Sequence, residues 1–188
     1  MEVSLLEALA GKEAQRLMKR AFTAMSDPPK AEEWQAAKSR GWHMGACLVL
    51  AEGLGTWLQD EAAELWGYGE WTEPQARPAW DPHPSRFHHH GYWDHVDHVL
   101  LASGDWLIDG GGIYPKADVS RIAAWWQEEF GPSNCGVRRL ADLKVSLQEE
   151  GIRSSPAVSA ALARLLEHTL GSGLEWREAL GQAVLTLA

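Results

Sequence analysis

The chain is poor in cysteine, in basic charge and in long apolar runs, and each shortage removes a class of protein. Two cysteines, Cys47 and Cys135, cannot build a disulfide framework. No C-x-x-C pair exists to hold zinc or run dithiol chemistry. Seventeen Lys and Arg stand against 26 Asp and Glu, a net charge of −9. Binding would bring that acidic surface up to phosphates, so nucleic acid is not an expected partner. The longest apolar stretches, such as Ala46–Ala51 and Val99–Ala102, fall far short of the roughly 20 residues that span a bilayer, so no membrane partner is expected either. The start, Met1-Glu2-Val3-Ser4-Leu5-Leu6-Glu7, lacks the basic residues, apolar run and small-residue cleavage site of a signal peptide. A cytoplasmic protein with reduced thiols is the expectation. Tyrosine and phenylalanine are scarce, three of each, against eleven tryptophans.

What is present suffices for one globular domain spanning 1–188, since 188 residues at 45% hydrophobic content can bury a full core. Leu5, Leu6, Leu9, Leu17, Met18 and Phe22 recur at helical spacing over 3–25, and Ser26-Asp27-Pro28-Pro29 ends that helix. A second, more polar helix carrying Trp34 is expected over 30–40. After the break at Gly41–Gly45, Leu48, Ala51, Leu54 and Leu58 restore the helical period, which puts Cys47 at a helix start. Residues 67–94 hold Pro74, Pro78, Pro82 and Pro84 and few aliphatics, so they read as a long ordered loop, with a short strand near Leu65–Trp71. Residues 96–102 and 106–109 read as two strands joined at Ser103-Gly104-Asp105, with Gly110–Gly112 ending the sheet. Helices are expected over 118–130, 138–150, 156–170 and 174–187. The fold class is therefore α+β. A small antiparallel sheet packs on the Cys47 helix within a core of 41–117, between a helical part at 1–40 and another at 118–188.

Three residues suit nucleophilic catalysis. Cys47 at a helix N-terminus sits where a thiolate is favoured, and its backbone N–H is an unpaired first-turn donor suited to an oxyanion. His98 on a strand has a fixed orientation and needs a third group to set its tautomer. Asp109, at the end of the next strand, can be that group in one register only. With a two-residue loop at Gly104-Asp105, Ser103 pairs with Trp106 and Leu100 with Asp109, leaving His98 diagonal to Asp109 on one face at a Cα spacing of about 7–8 Å. A three-residue loop switches the faces and breaks the pairing.

Cys47-Leu48-Val49-Leu50-Ala51-Glu52-Gly53-Leu54, then Asp97-His98-Val99-Leu100-Leu101, then Gly104-Asp105-Trp106-Leu107-Ile108-Asp109-Gly110-Gly111-Gly112 resemble the core of the papain-like and transglutaminase-like cysteine superfamily. Arylamine N-acetyltransferases share the pattern. The resemblance covers roughly residues 40–115. It implies Cys47 as nucleophile, His98 as general base and acid, and Asp109 as orienting carboxylate. It also implies thiol-dependent amide hydrolysis or acyl transfer on a peptide or protein substrate, as in a peptidase, a deamidase or a transglutaminase-like enzyme, with no cofactor. The family's glutamine before the cysteine has no match, the nearest being Gln35, so His43 and Trp42 become the oxyanion candidates.

Plainer readings compete. A cysteine on an apolar helix face is usually a small core residue. His98 suits an ordinary hydrogen-bonded sheet position, and Asp109 before three glycines suits a turn. In that case the chain is a catalytically inactive interaction module on the same fold. Cys135, in the turn-like Pro132-Ser133-Asn134-Cys135-Gly136 before an expected helix, is a weaker rival nucleophile. Six of the eight histidines lie in 83–98, with Asp81, Asp94 and Asp97 interleaved, so a metal-binding protein using His88, His90 and His95 is a further alternative. The spacing there matches no standard metal motif. Trp125, Trp126 and Trp176 suit gaps between helices, whereas Trp71, Trp80 and Trp93 on the long loop are substrate-binding candidates.

Overall fold

The computed structural model describes residues 1–23, 42, 46–70, 95–118, 135–142, 147 and 152–187. Among them the chain is mixed α+β, with five helices and one five-stranded antiparallel sheet. The helices are α1 (Glu2–Ala10), α2 (Lys12–Thr23), α3 (Cys47–Leu58), α4 (Pro156–Leu170) and α5 (Gly173–Leu187). The strands are β1 (Glu64–Glu70), β2 (His95–Ser103), β3 (Trp106–Asp109), β4 (Gly112–Pro115) and β5 (Cys135–Arg139), in spatial order β4-β3-β2-β1-β5.

The helix α3 is buried nearly all round, from Cys47 and Leu48 to Trp57 and Leu58. A helix apolar on every side belongs inside a core. It lies against β2 and β3 on one side and α4 on another. Gly53 permits the second contact, because a Cβ there would stand 3.0 Å from Leu162 and 3.1 Å from the Ser159 carbonyl. The sheet is buried on both faces. Val99, Leu101 and Ile108 join the helical core, while Tyr68, Leu100, Ala102, Leu107 and Val137 form a second cluster. That division is the period-2 alternation of a strand.

All five described tryptophans donate their indole N–H. Trp42 bonds the Leu9 carbonyl at 3.3 Å, Trp57 that of Gly171 at 3.1 Å, Trp106 that of Leu180 at 2.9 Å and Trp176 that of Leu170 at 3.2 Å. Trp66 bonds the Glu64 carboxylate at 3.4 Å. Each ring fills apolar space while its polar edge ties down an acceptor, most of them distant in sequence. This is the gap-filling expected of Trp176; Trp125 and Trp126 lie outside the described residues.

Several expectations change. The single helix over 3–25 divides at Gly11, which is extended (φ −61°, ψ 152°) and lets α1 and α2 fold against one another. The sheet does not end at Gly110–Gly112. Those glycines form a tight turn into β4, because Asp109 Oδ1 accepts the N–H groups of Gly111 at 2.7 Å and Gly112 at 3.1 Å. The short strand expected near Leu65–Trp71 stands as β1, Glu64–Glu70, so residues 67–70 of the expected loop are strand. The helix expected over 138–150 starts as strand and 3-10 turn instead. Val137 pairs with Tyr68 on the outer edge of β1, and ladder formation overrides local helical propensity there. The helices over 156–170 and from 173 stand as expected, whereas the helices placed at 30–40 and 118–130 lie outside the described residues.

Candidate functional site

Three elements deliver one polar side chain each to a single point. The β2–β3 hairpin has the two-residue loop, with Ser103 opposite Trp106, Ala102 opposite Leu107 and Leu101 opposite Ile108. Gly104 takes the left-handed φ of +54° that the turn needs. One step further along this ladder Asp109 is diagonal to His98. His98 Nε2 and Asp109 Oδ2 are 2.9 Å apart. The register on which the pairing depends is therefore the register present.

Asp109 does two jobs with its two oxygens. Oδ1 accepts the Gly111 and Gly112 amides and Oδ2 faces the imidazole. The turn-forming and imidazole-holding readings, set against one another in the sequence, are thus both true of this residue. A carboxylate gripped by two backbone donors is fixed in direction, and it fixes the His98 ring in turn.

The first turn of α3 brings Cys47 close enough to the same imidazole to act on its charge. The three side chains are almost fully buried: Cys47 is 1% exposed, His98 0% and Asp109 2%. Burial by itself pulls the His98 pKa down. The hydrogen bonds to Asp109 and Cys47, and the charges of the two groups, overcome that and push it up to about 10. That shift favours the imidazolium form of His98 beside the Asp109 carboxylate. A β-bulge sits beside it, because the β1–β2 register slips between Tyr68–His98 and Gly69–Val96 and passes over Asp97. Bulges bend and twist a strand locally and often adjoin functional side chains.

Two features escaped the sequence reading. Tyr68, fully buried, stands directly across the ladder from His98. The short strand expected near Leu65–Trp71 contains it, but nothing in the sequence set that strand against His98. The Gly111 and Gly112 amides that orient Asp109 belong to the turn that Asp109 before three glycines suits, but the strand β4 beyond that turn was not expected.

The oxyanion candidates divide. Trp42 is buried against this turn: a Cβ on Gly110 would stand 2.8 Å from that of Trp42. Its indole N–H, the side chain's only donor, is committed to Leu9, so it does not serve as an oxyanion donor in this conformation. His43 lies outside the described residues, as do Trp71, Trp80, Trp93, His88 and His90. His95 is the first residue of β2. Among the described residues no three His, Cys, Asp or Glu side chains gather as a metal site. Cys135 opens β5 opposite Glu70 and does not precede a helix, which removes the ground on which it rivalled Cys47. No helix among the described residues is long and apolar enough to cross a membrane. Compared with protein-family models, curated proteins and solved structures, the chain matches none.

Proposed function

We propose that the chain is a thiol-dependent hydrolase or acyltransferase acting on amide bonds of a peptide or protein through Cys47, His98 and Asp109. The observation that carries this is the buried His98 imidazole, 2.9 Å from the Asp109 carboxylate and near enough to Cys47 for the thiol to act on its charge. With Nε2 given to Asp109, Nδ1 is the nitrogen left to exchange a proton with Cys47. The imidazolium pairs with the Cys47 thiolate, which attacks the substrate carbonyl; a sulfur–carbon bond forms and the carbonyl electrons move to oxygen. The Cys47 backbone N–H, in the first turn ahead of the Leu50 N–H to Ala46 carbonyl bond, is a donor for that oxyanion. His98 then gives its proton to the leaving nitrogen as the carbon–nitrogen bond breaks and a thioester remains. Water, or an amine in the transferase case, loses a proton to His98 as it attacks, and the thiolate is released. Asp109 holds the ring through both proton transfers and stabilises its positive charge.

Burial favours a second reading, in which the same three groups are a structural network of an inactive interaction module. Iodoacetamide labelling at pH 7, followed by mass spectrometry, separates the two. The enzyme reading expects Cys47 to react at least about ten times faster than a free thiol, with His98→Ala abolishing the advantage. A Cys47 that reacts no faster than a free thiol establishes the inactive module.

A further inference from the structure

The strand order puts β2 between β3 and β1, so His98 has a neighbour on each flank. Asp109 on β3 takes Nε2 from one side at 2.9 Å. Tyr68 on β1 stands directly opposite His98 on the other side. Cross-strand partners project from the same face, with Cβ atoms about 4.5–5.5 Å apart. That face carries the cluster of Tyr68, Leu100, Ala102, Leu107 and Val137, since Leu100 lies two residues from His98 along β2. Tyr68 and His98 are both fully buried, and Tyr68 pairs in turn with Val137 on β5. An aromatic ring therefore stands on the flank of the imidazole away from its carboxylate.

The strand around Tyr68 offers little else. Gly67 and Gly69 flank it, so between Trp66 and Glu70 it is the only side chain that β1 carries. Glycine inside a strand weakens it and often marks a bulge. The β1–β2 ladder is regular from Glu64 to Tyr68 and slips at the next residue, passing over Asp97. The Tyr68–His98 pair is thus the last before the bulge, where a strand bends and twists. A close-packed ring there has two effects on the imidazole. It blocks rotation about the Cβ–Cγ bond, which would take Nε2 off Asp109 and put a ring carbon in its place. It also keeps water from the His98–Asp109 pair, whose attraction is stronger in a dry site of low dielectric.

We infer that Tyr68 is a positioning residue for His98: its ring, rather than its hydroxyl, holds Nε2 on Asp109 and so leaves Nδ1 to Cys47. The effect on Cys47 rests on the thiol reading, whereas the hold on the imidazole does not.

The test uses the full chain. In wild type, NOEs between the ring protons of Tyr68 and His98 are expected, and their absence overturns the inference without any variant. Exchange of the His98 Nε2–H with water is then followed by NMR in the folded fraction of each variant. Tyr68→Leu should speed the exchange by about ten-fold or more, because local opening sets that rate. Tyr68→Met, which fills the space without a flat wall, replaces it if the leucine variant does not fold. Tyr68→Phe should stay within about two-fold of wild type, as should Val137→Ala, which loosens the same cluster one strand farther from His98. An unchanged rate in Tyr68→Leu overturns the inference. So does fast exchange in Tyr68→Phe, which assigns the hold to the hydroxyl, or in Val137→Ala, which makes it general packing. Alkylation of Cys47 by iodoacetamide should follow the same order, about five-fold slower in Tyr68→Leu and within about two-fold of wild type in Tyr68→Phe. Fast exchange with unchanged alkylation overturns the link to Cys47. A wild-type Cys47 no faster than a free thiol refutes the thiol reading, and the NOE and exchange measurements still decide Tyr68.

Discussion

The two ends of α3 are pinned by different chemistry. At its C-terminal end the contacts are those of a core. Trp57 packs on Trp176 at 5.2 Å between ring centroids and bonds the Gly171 carbonyl, and Gly173 comes so close to the Trp57 backbone that a Cβ there would stand 1.8 Å from the carbonyl oxygen. At its N-terminal end the helix meets a buried thiol, imidazole and carboxylate. Apolar packing stabilises in proportion to the area removed from water. Buried ionic groups give up their hydration, and the balance often favours apolar replacements. One end therefore holds the helix in place. The other keeps a polar arrangement that stability alone would not select, which is the physical ground for assigning it a function.

The largest expected effect comes from breaking the packed end. Trp57→Ala removes a ring and an interhelical hydrogen bond and should cost about 3–5 kcal/mol in denaturant unfolding. If it costs less than about 1 kcal/mol, the C-terminal end is not the anchor described. In the folded fraction, Cys47 should keep its labelling rate.

Asp109→Asn acts at the polar end. The amide keeps the shape and loses the charge that holds His98 protonated, so Cys47 alkylation at pH 7 should slow by about ten-fold or more. An unchanged rate would remove Asp109 from the thiol chemistry and leave it a turn-former.

The same end sets the pH dependence. The His98 pKa rises on folding from 6.5 to about 10, so the folded chain holds the extra proton between those values. Its stabilising contribution is fully present below pH 6.5 and is lost as pH rises toward 10, at a slope of at most about 1.4 kcal/mol per pH unit. Wild type should therefore lose stability over that window relative to His98→Gln, and the His98 ring should read as imidazolium by NMR at pH 8. A neutral ring at pH 8 overturns the assignment.

How far each end was legible follows from the range of its interactions. The helix start at Cys47 came from the apolar period of Leu48, Ala51, Leu54 and Leu58, and the His98–Asp109 pairing from a two-residue turn; both are short-range patterns. The pairing of β1 with β5 was not legible, because Val137 and Tyr68 are 69 positions apart in the chain and their pairing has no local signature. The partner of Trp42 was not legible for the same reason. Its type suggested a donor near Cys47, and only the fold shows that the donor belongs to Leu9, which closes α1 over the Gly110 turn. The turn at Asp109–Gly112 was legible in its residue types, whereas the strand β4 that it leads into was not, because the glycines themselves carry no strand pattern.

The smallest effect tests whether the two ends are independent. Midway along α3, the Ser159 hydroxyl on α4 donates to the Glu52 carboxylate at 2.8 Å. Ser159→Ala removes that donor and leaves a part-buried carboxylate to water, a loss of about 1 kcal/mol. Because Glu52 lies more than one helical turn from both Cys47 and Trp57, the loss should add to that of Trp57→Ala within about 0.5 kcal/mol. Cys47 labelling should change by less than about two-fold, the size of a few tenths of a kcal/mol. A larger change in labelling would show that α3 passes strain along its length, and the separation of an anchoring end from a reactive end would then fail.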